Sequence, residues 1–368
     1  GRKQSHFCNH SYDHNNLIMQ ESCIMKKSIL AIAVAATMAA PAAIAAPTVY
    51  GNVHLSLNQA DNDIPNADNN LAVSSNTSAI GVKGSEDLGD GLKAIYKVEF
   101  QIGIGPGPTT DPDGDFIDGS GAGGLSGRDQ FVGLKGGFGT VKFGTMSSNY
   151  KQMGGKVDPL YRTPLEGRGF LNTQSKLHGG KGMNRGRQTH TAQYVSPKMA
   201  GIQLVANTTF SGSNDETSGI GIRWSNKAVL VYADYITGQG STAGQAAVQD
   251  CTSPCETNDA TKVGAKFSAK AFDVAAQYEM AEDRAGADYL FLAGTFNINA
   301  NNALMLTYGM ADVKVPANAP SADYDGVALA YNHKMSKMTN VYVGYGAKSS
   351  DVANSDESML TAGIRKKF

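Results

Sequence analysis

Period-two alternation held over about eleven residues constrains this chain more than any other feature. From Leu92 to Ile102, the residues Leu92, Ala94, Tyr96, Val98, Phe100 and Ile102 fall on one face, and Lys93, Lys97, Glu99 and Gln101 on the other. Alternation of that kind is the mark of a strand with one apolar and one polar side. Strands of soluble sandwiches sustain it over about five or six residues. A tilted strand that crosses a bilayer needs about nine to eleven. The same two-faced pattern returns at Ile202, Leu204 and Ala206 against Gln203 and Asn207, at Val263, Ala265 and Phe267 against Lys262 and Lys266, and at Val341, Val343 and Tyr345. Beyond the N-terminal leader no segment approaches 18 consecutive apolar residues, which excludes a membrane protein built of helices.

The connections between these segments fall into two alternating classes. Short turns lie at Glu86–Gly91, Gly136–Gly139, Ser196–Gly201, Ser225–Lys227, Ser268–Lys270, Asn297–Asn302 and Lys334–Thr339. Longer polar stretches lie at 60–75, 105–126, 147–186, 211–217, 237–260, 282–287, 314–322 and 350–356. Seven short and eight long connections join sixteen strands, and the parity leaves both chain ends on the short-turn side. There the first and last strands can pair and remove the sheet edge, as unpaired backbone in lipid requires. The fold class read from this is all-β: a transmembrane antiparallel β-barrel of about sixteen strands. Side chains cannot fill a barrel of that size, so its lumen is aqueous.

Length alone, 368 residues, would allow two or three soluble domains, but the composition is uniform, with 43 glycines and only 18% charged residues. Met25-Lys26-Lys27, the apolar run Ile29 to Met38 and the small residues Ala43-Ile44-Ala45 make residues 25–45 a secretory signal peptide cleaved after Ala45. Residues 1–24 then read as an upstream or artefactual extension, and 46–368 as a single barrel domain. The histidines and cysteine of the extension (His6, Cys8, His10, His14) are not taken as a metal site. Residues 1–45 hold four of the 32 basic and two of the 33 acidic residues, which leaves 28 and 31 in the mature part, a net of −3. Nothing in that balance points to nucleic acid. No cofactor is implied. Two cysteines remain, Cys251 and Cys255, and secretion favours a small local disulfide between them; two ligands are too few for a metal.

Four stretches resemble the general, non-specific porins of Gram-negative bacteria, in the family's order. Thr48-Val49-Tyr50-Gly51-Asn52 is similar to the family's first strand, and Gly81–Phe100 to its second hairpin. Arg128–Thr145 resembles the strand pair that leads into a loop folded inside the barrel, and Gly363–Phe368 the closing strand with its terminal aromatic. The resemblance implies a water-filled outer-membrane channel for passive diffusion of small hydrophilic solutes and ions. It also implies a homotrimer surrounded by outer-membrane lipid, delivered through the barrel-assembly machinery by the strand ending in Phe368. The inward loop would be 147–186, presenting Glu166 and Asp158 towards Arg128 and Arg187 on the facing wall, with Lys83 and Lys142 as weaker wall bases. The family's basic ladder is thinner here, since Ala79 and Asn52 stand where some members carry a base. The loop's own Lys151, Lys156, Arg162, Arg168, Lys176, Lys181 and Arg185 would tilt the constriction towards anions; alternatively they are solvated loop charges. A substrate-selective sugar or anion channel is the alternative function. An enzyme is not expected: there is no Gly-x-Ser-x-Gly elbow, and alternation turns His190 outward.

Overall fold

The computed structural model describes residues 46–63, 71–104, 124–180, 186–210, 216–239 and 257–368. The leader 25–45, residues 1–24, and the pair Cys251 and Cys255 lie outside the described residues.

Strands β1 (Thr48–Asn62), β2 (Leu71–Ser75), β3 (Ala79–Gly89), β4 (Leu92–Ile102), β5 (Leu125–Gly136) and β6 (Gly139–Ser147) precede the long inward loop. After it come β7 (Arg187–Val195), β8 (Ile202–Thr209), β9 (Thr217–Ser225), β10 (Val229–Gln239), β11 (Thr257–Ser268) and β12 (Phe272–Met280). The chain ends with β13 (Ala287–Asn297), β14 (Asn302–Val313), β15 (Tyr324–Lys334), β16 (Thr339–Ser350) and β17 (Glu357–Lys367). All pairings are antiparallel neighbours in one sheet, and β1 pairs with β17 to close it.

β2 and β3 are two halves of one wall strand. Leu55–Gln59 of β1 pair with β2, and Thr48–Asn52 pair with the start of β3, so the barrel has sixteen strands in seventeen pieces. The break at 76–78 carries a positive φ of 58° at Thr77. Its polar groups stay satisfied: Asn76 Nδ2 donates to Ser56 Oγ (2.8 Å) and His54 N–H donates to Ser78 Oγ (3.0 Å). The expected long connection at 60–75 is therefore shorter, spanning 63–70. The other fourteen fall at the expected places, although the turn expected at 86–91 narrows to 90–91 and the connection expected at 237–260 narrows to 240–256. At the seam Gly51 and Phe368 exchange both backbone hydrogen bonds (3.0 and 3.1 Å), which carries the β1–β17 ladder to the last residue.

Sidedness follows the pleat. In β14, Ala303, Met305, Thr307 and Ala311 are buried while Leu304, Leu306 and Met310 are exposed. An exposed face this apolar, repeated on strand after strand, has lipid as its solvent; in water it would be an aggregation surface.

The segment between β6 and β7 lies against the inward faces. Helix α1 (Asn149–Val157) opens it, capped by Ser148 Oγ, which accepts the Lys151 N–H at 3.1 Å. Leu160, Leu165 and Leu171 then pack with Met305, Ala328 and Ala330. Those three alternate with lipid-facing Leu304, Leu306, Val327 and Leu329, so they point into the barrel. Two wall glycines make the close approach possible. A Cβ at Gly309 would sit 2.5 Å from Thr173 Cβ, and one at Gly344 2.9 Å from Leu165 Cδ1.

Candidate pore constriction

The inward loop is fixed by a buried polar hub on the β10–β12 wall. Glu279, fully buried, accepts from Tyr150 Oη (3.0 Å), from the Ser175 hydroxyl and N–H, and from Gln277 Nε2 (2.8 Å). Lys262, equally buried, donates to the Tyr150 carbonyl, and its Nζ lies 3.0 Å from His178 Nε2 and 3.7 Å from Asp234 Oδ2. An ammonium can only donate, so His178 Nε2 is the acceptor and Nδ1–H is left to donate to the Ser175 carbonyl (3.1 Å). Although His178 Nδ1 also lies 3.5 Å from Glu279, the ring is neutral: burial, then the Lys262 charge, hold it well below the usual imidazole range. Asn149 adds donors to Asp234 Oδ1 and to the Tyr235 carbonyl, both 3.1 Å.

Across the lumen a second cluster gathers on β3 to β7. The pairing of β4 with β5 slips between Val98 and Phe100, so Glu99 faces both Arg128 and Asp129. That bulge turns two consecutive side chains inward, where alternation allows one. Arg128 Nε donates to Glu99 Oε1 (2.7 Å) and its Nη1 to Gln101 Oε1 (2.9 Å). Arg187 Nε donates to Asp129 Oδ1 (2.8 Å), and Lys97 bridges Asp129 (2.9 Å) and Glu99 (3.1 Å). Tyr50 Oη donates to the other Glu99 oxygen at 2.8 Å. Arg128 and Arg187 thus belong to one wall cluster, each already held by a carboxylate. Lys83 and Lys142 share this inward face, their ammonium groups 5.0 Å from the rings of Tyr50 and Phe131.

The loop acids do not face that wall as free charges. Glu166 turns back into its own loop, its Oε1 2.9 Å from Arg168 Nε and its Oε2 accepting the Arg162 N–H (2.7 Å). Asp158 is buried and accepts the N–H groups of Leu160 (2.8 Å) and Gly167 (2.9 Å), which makes it a brace for the loop. Burial pushes its carboxyl up to about 7. Arg162 and Arg168 lie over the Tyr161 ring at 5.5 and 5.2 Å. Burial alone would raise that phenol, yet Arg168 and Arg162 hold it below its ordinary value. Arg162 is close enough to Arg128 and to Arg365 of β17 for its charge to act on both. Among the described residues neither Arg162 nor Arg365 has a carboxylate partner, and the Nε of each is unbonded.

Sequence reading missed Glu99 and Asp129 as partners of the wall arginines. It also left Arg365 inside a terminal motif, although alternation with Ile364 would have placed it inward.

A family model described as Gram-negative porin matches residues 31–353. The major outer membrane protein P.IB of Neisseria gonorrhoeae is 30% identical over 211 residues, 55% of this chain and 54% of that protein. A monosaccharide porin from a Halomonas species is 30% identical over 233 residues, 60% of this chain and 58% of that one. The chain spans about half the length of the curated relatives it matches. Among solved structures, the anion-selective porin from Comamonas acidovorans aligns over 88% of this chain and 99% of its own, with a TM-score of 0.70 and 18% identity, a likeness of fold. The chain belongs to the family of Gram-negative porins of the outer membrane.

Proposed function

We propose that this protein is a water-filled channel through which small hydrophilic solutes and ions diffuse passively, with anions favoured. Sixteen strands enclose more space than side chains fill. The observation that carries the preference is the pair Arg162 and Arg365, inward-facing and without a carboxylate partner among the described residues. Arg128 and Arg187 belong to the same constriction but as halves of ion pairs. Glu166 and Asp158 act there as braces of the loop.

A sugar-selective channel would need open aromatic rings along the lumen. The inward tyrosines are occupied instead: Tyr150, Tyr232 and Tyr342 are buried and hydrogen-bonded, while cations cover Tyr50 and Tyr161. The general diffusion channel is therefore the better reading. The same reading includes a cleaved leader at residues 25–45, assembly as a homotrimer, and delivery by the barrel-assembly machinery through the strand that ends in Phe368.

Purified protein in planar bilayers should give stepwise ohmic conductance, and liposomes containing it should swell in small sugars at rates that fall steadily with solute size. Closed bilayers from protein with intact strand content would refute the channel. Uptake of one sugar far above others of equal size would favour the selective alternative.

A further inference from the structure

Beneath α1, at the short-turn end of the lumen, lies a cavity of about 760 Å³ that the constriction does not use. Its roof is the helix and its floor the turns that follow β7 and β9 together with the end of β11. Among the described residues six basic side chains line it, Lys151, Lys156, Lys198, Arg223, Lys227 and Lys266, and not one carboxylate does. Three of the six are engaged. Lys151 donates to the His178 carbonyl, Arg223 to Gln152 and the Asn149 carbonyl, and Lys266 lies 3.6 Å from Asp273, outside the lining. The other three have no ion-pair partner among the described residues: Lys156 and Lys227 are exposed, and Lys198 Nζ reaches only Ser225 Oγ (2.8 Å). Side-chain amides and hydroxyls of Gln152, Gln203, Asn226 and Ser268 stand between them.

A space of several hundred Å³ accommodates a small organic molecule. Lysines act on phosphate as point charges from any direction, so a ring of them suits a tumbling, doubly charged group better than a fixed planar one. We propose that this cavity is a binding station for small solutes bearing a phosphate group, recognised by Lys156, Lys198 and Lys227 at the periplasmic mouth. The station rests on the channel reading for its purpose but not for its test. It would hold a phosphorylated solute just past the constriction, raising the occupancy of such solutes over neutral ones of equal size.

Folded protein in detergent at low ionic strength is titrated with inorganic phosphate and, separately, with glycerol 3-phosphate, and followed by phosphorus NMR line broadening. Saturable broadening is expected with both if the phosphate group alone is read, and tighter with the ester if the amides also contribute. Lys156→Gln/Lys198→Gln/Lys227→Gln should weaken binding at least about tenfold. The equal-charge control Lys334→Gln/Lys337→Gln/Lys366→Gln, also at the short-turn end but outside the cavity, should stay within about twofold of the unaltered protein. Should the triple variant not fold, the single Lys227→Glu on an exposed turn should weaken binding at least about fivefold. Broadening that never saturates, or equal losses in the cavity variant and the control, would overturn the site, since a general positive field would then account for it. Conductance in potassium chloride is recorded on the same samples: its absence counts against the channel reading alone, and absent phosphate binding with intact conductance against the station alone.

Discussion

A carboxyl group removed from water favours its neutral form unless donors replace the lost solvation. Asp158 has two backbone donors, from Leu160 and Gly167, and they do not suffice: its carboxyl titrates near 7 instead of near 3.8. Because the docked loop raises this pKa, the group's contribution to docking is full below about pH 4 and is lost as pH rises through about 7. Single-channel flicker should therefore be quietest in mild acid and grow severalfold between pH 5 and 8. Asp158→Asn should flatten that dependence, at a cost of about 1 kcal/mol for the acceptor it removes. The same pH trend in the variant would assign it to another group. Asp158 was legible in the sequence as a loop acid, but its role was not, because burial depends on Leu160 and Gly167 folding back over it. Likewise Arg128 could be carried over from the family, whereas its neighbour Asp129 could not. Only the slip between Val98 and Phe100 brings both side chains inward, and a bulge leaves no mark in a period-two pattern.

Among the elements, the strands were the most legible, since lipid outside and water inside write the alternation directly into residues such as Leu92–Ile102. The β2–β3 break was not, because 60–75 reads as one loop by composition, yet Leu71–Ser75 pair along β1 and side-chain bonds of Asn76 to Ser56 and of Ser78 to His54 carry the chain across the break. The inward loop was placed by resemblance, and its attachment emerges only from the assembled wall. Glu279 is the centre of that attachment, with Tyr150 and Ser175 of the loop on one side and Gln277 of its own strand on the other. Removing one member of a buried charged network costs about 3–5 kcal/mol, because the partners stay desolvated. Glu279→Ala should accordingly loosen the loop and leave the barrel closed. Recordings would show larger, noisier conductance from protein whose circular dichroism retains its strand signal. Unchanged noise would mean that the leucine contacts with Ala328 and Ala330 hold the loop by themselves.

At the scale of the whole molecule, the chain carries a net charge of −1, so any preference for anions must come from where charges sit. Around the constriction Glu99 and Asp129 answer Arg128, Arg187 and Lys97, Glu166 answers Arg168, Lys83 and Lys142 lie over aromatic rings, and Arg162 and Arg365 are the arginines left without a carboxylate among the described residues. One unit charge about 7 Å from a passing ion is worth about 0.6 kcal/mol at the dielectric constant of water and about 2.4 kcal/mol at an effective value near 20. With about 1.4 kcal/mol for each tenfold, and screening over about 10 Å at 0.1 M salt, the lower figure applies and each arginine changes the ion ratio about threefold. The most direct test is the zero-current potential across a gradient of dilute potassium chloride. The unaltered channel should reverse on the chloride side. Arg162→Gln/Arg365→Gln should lower the chloride-to-potassium ratio about five- to tenfold, most in dilute salt, while Arg128→Gln/Glu99→Gln, which deletes a whole ion pair, should leave it within about twofold. Reversal on the potassium side, or an unchanged ratio in the Arg162 and Arg365 variant, would contradict a channel whose selectivity is set by its unpaired arginines.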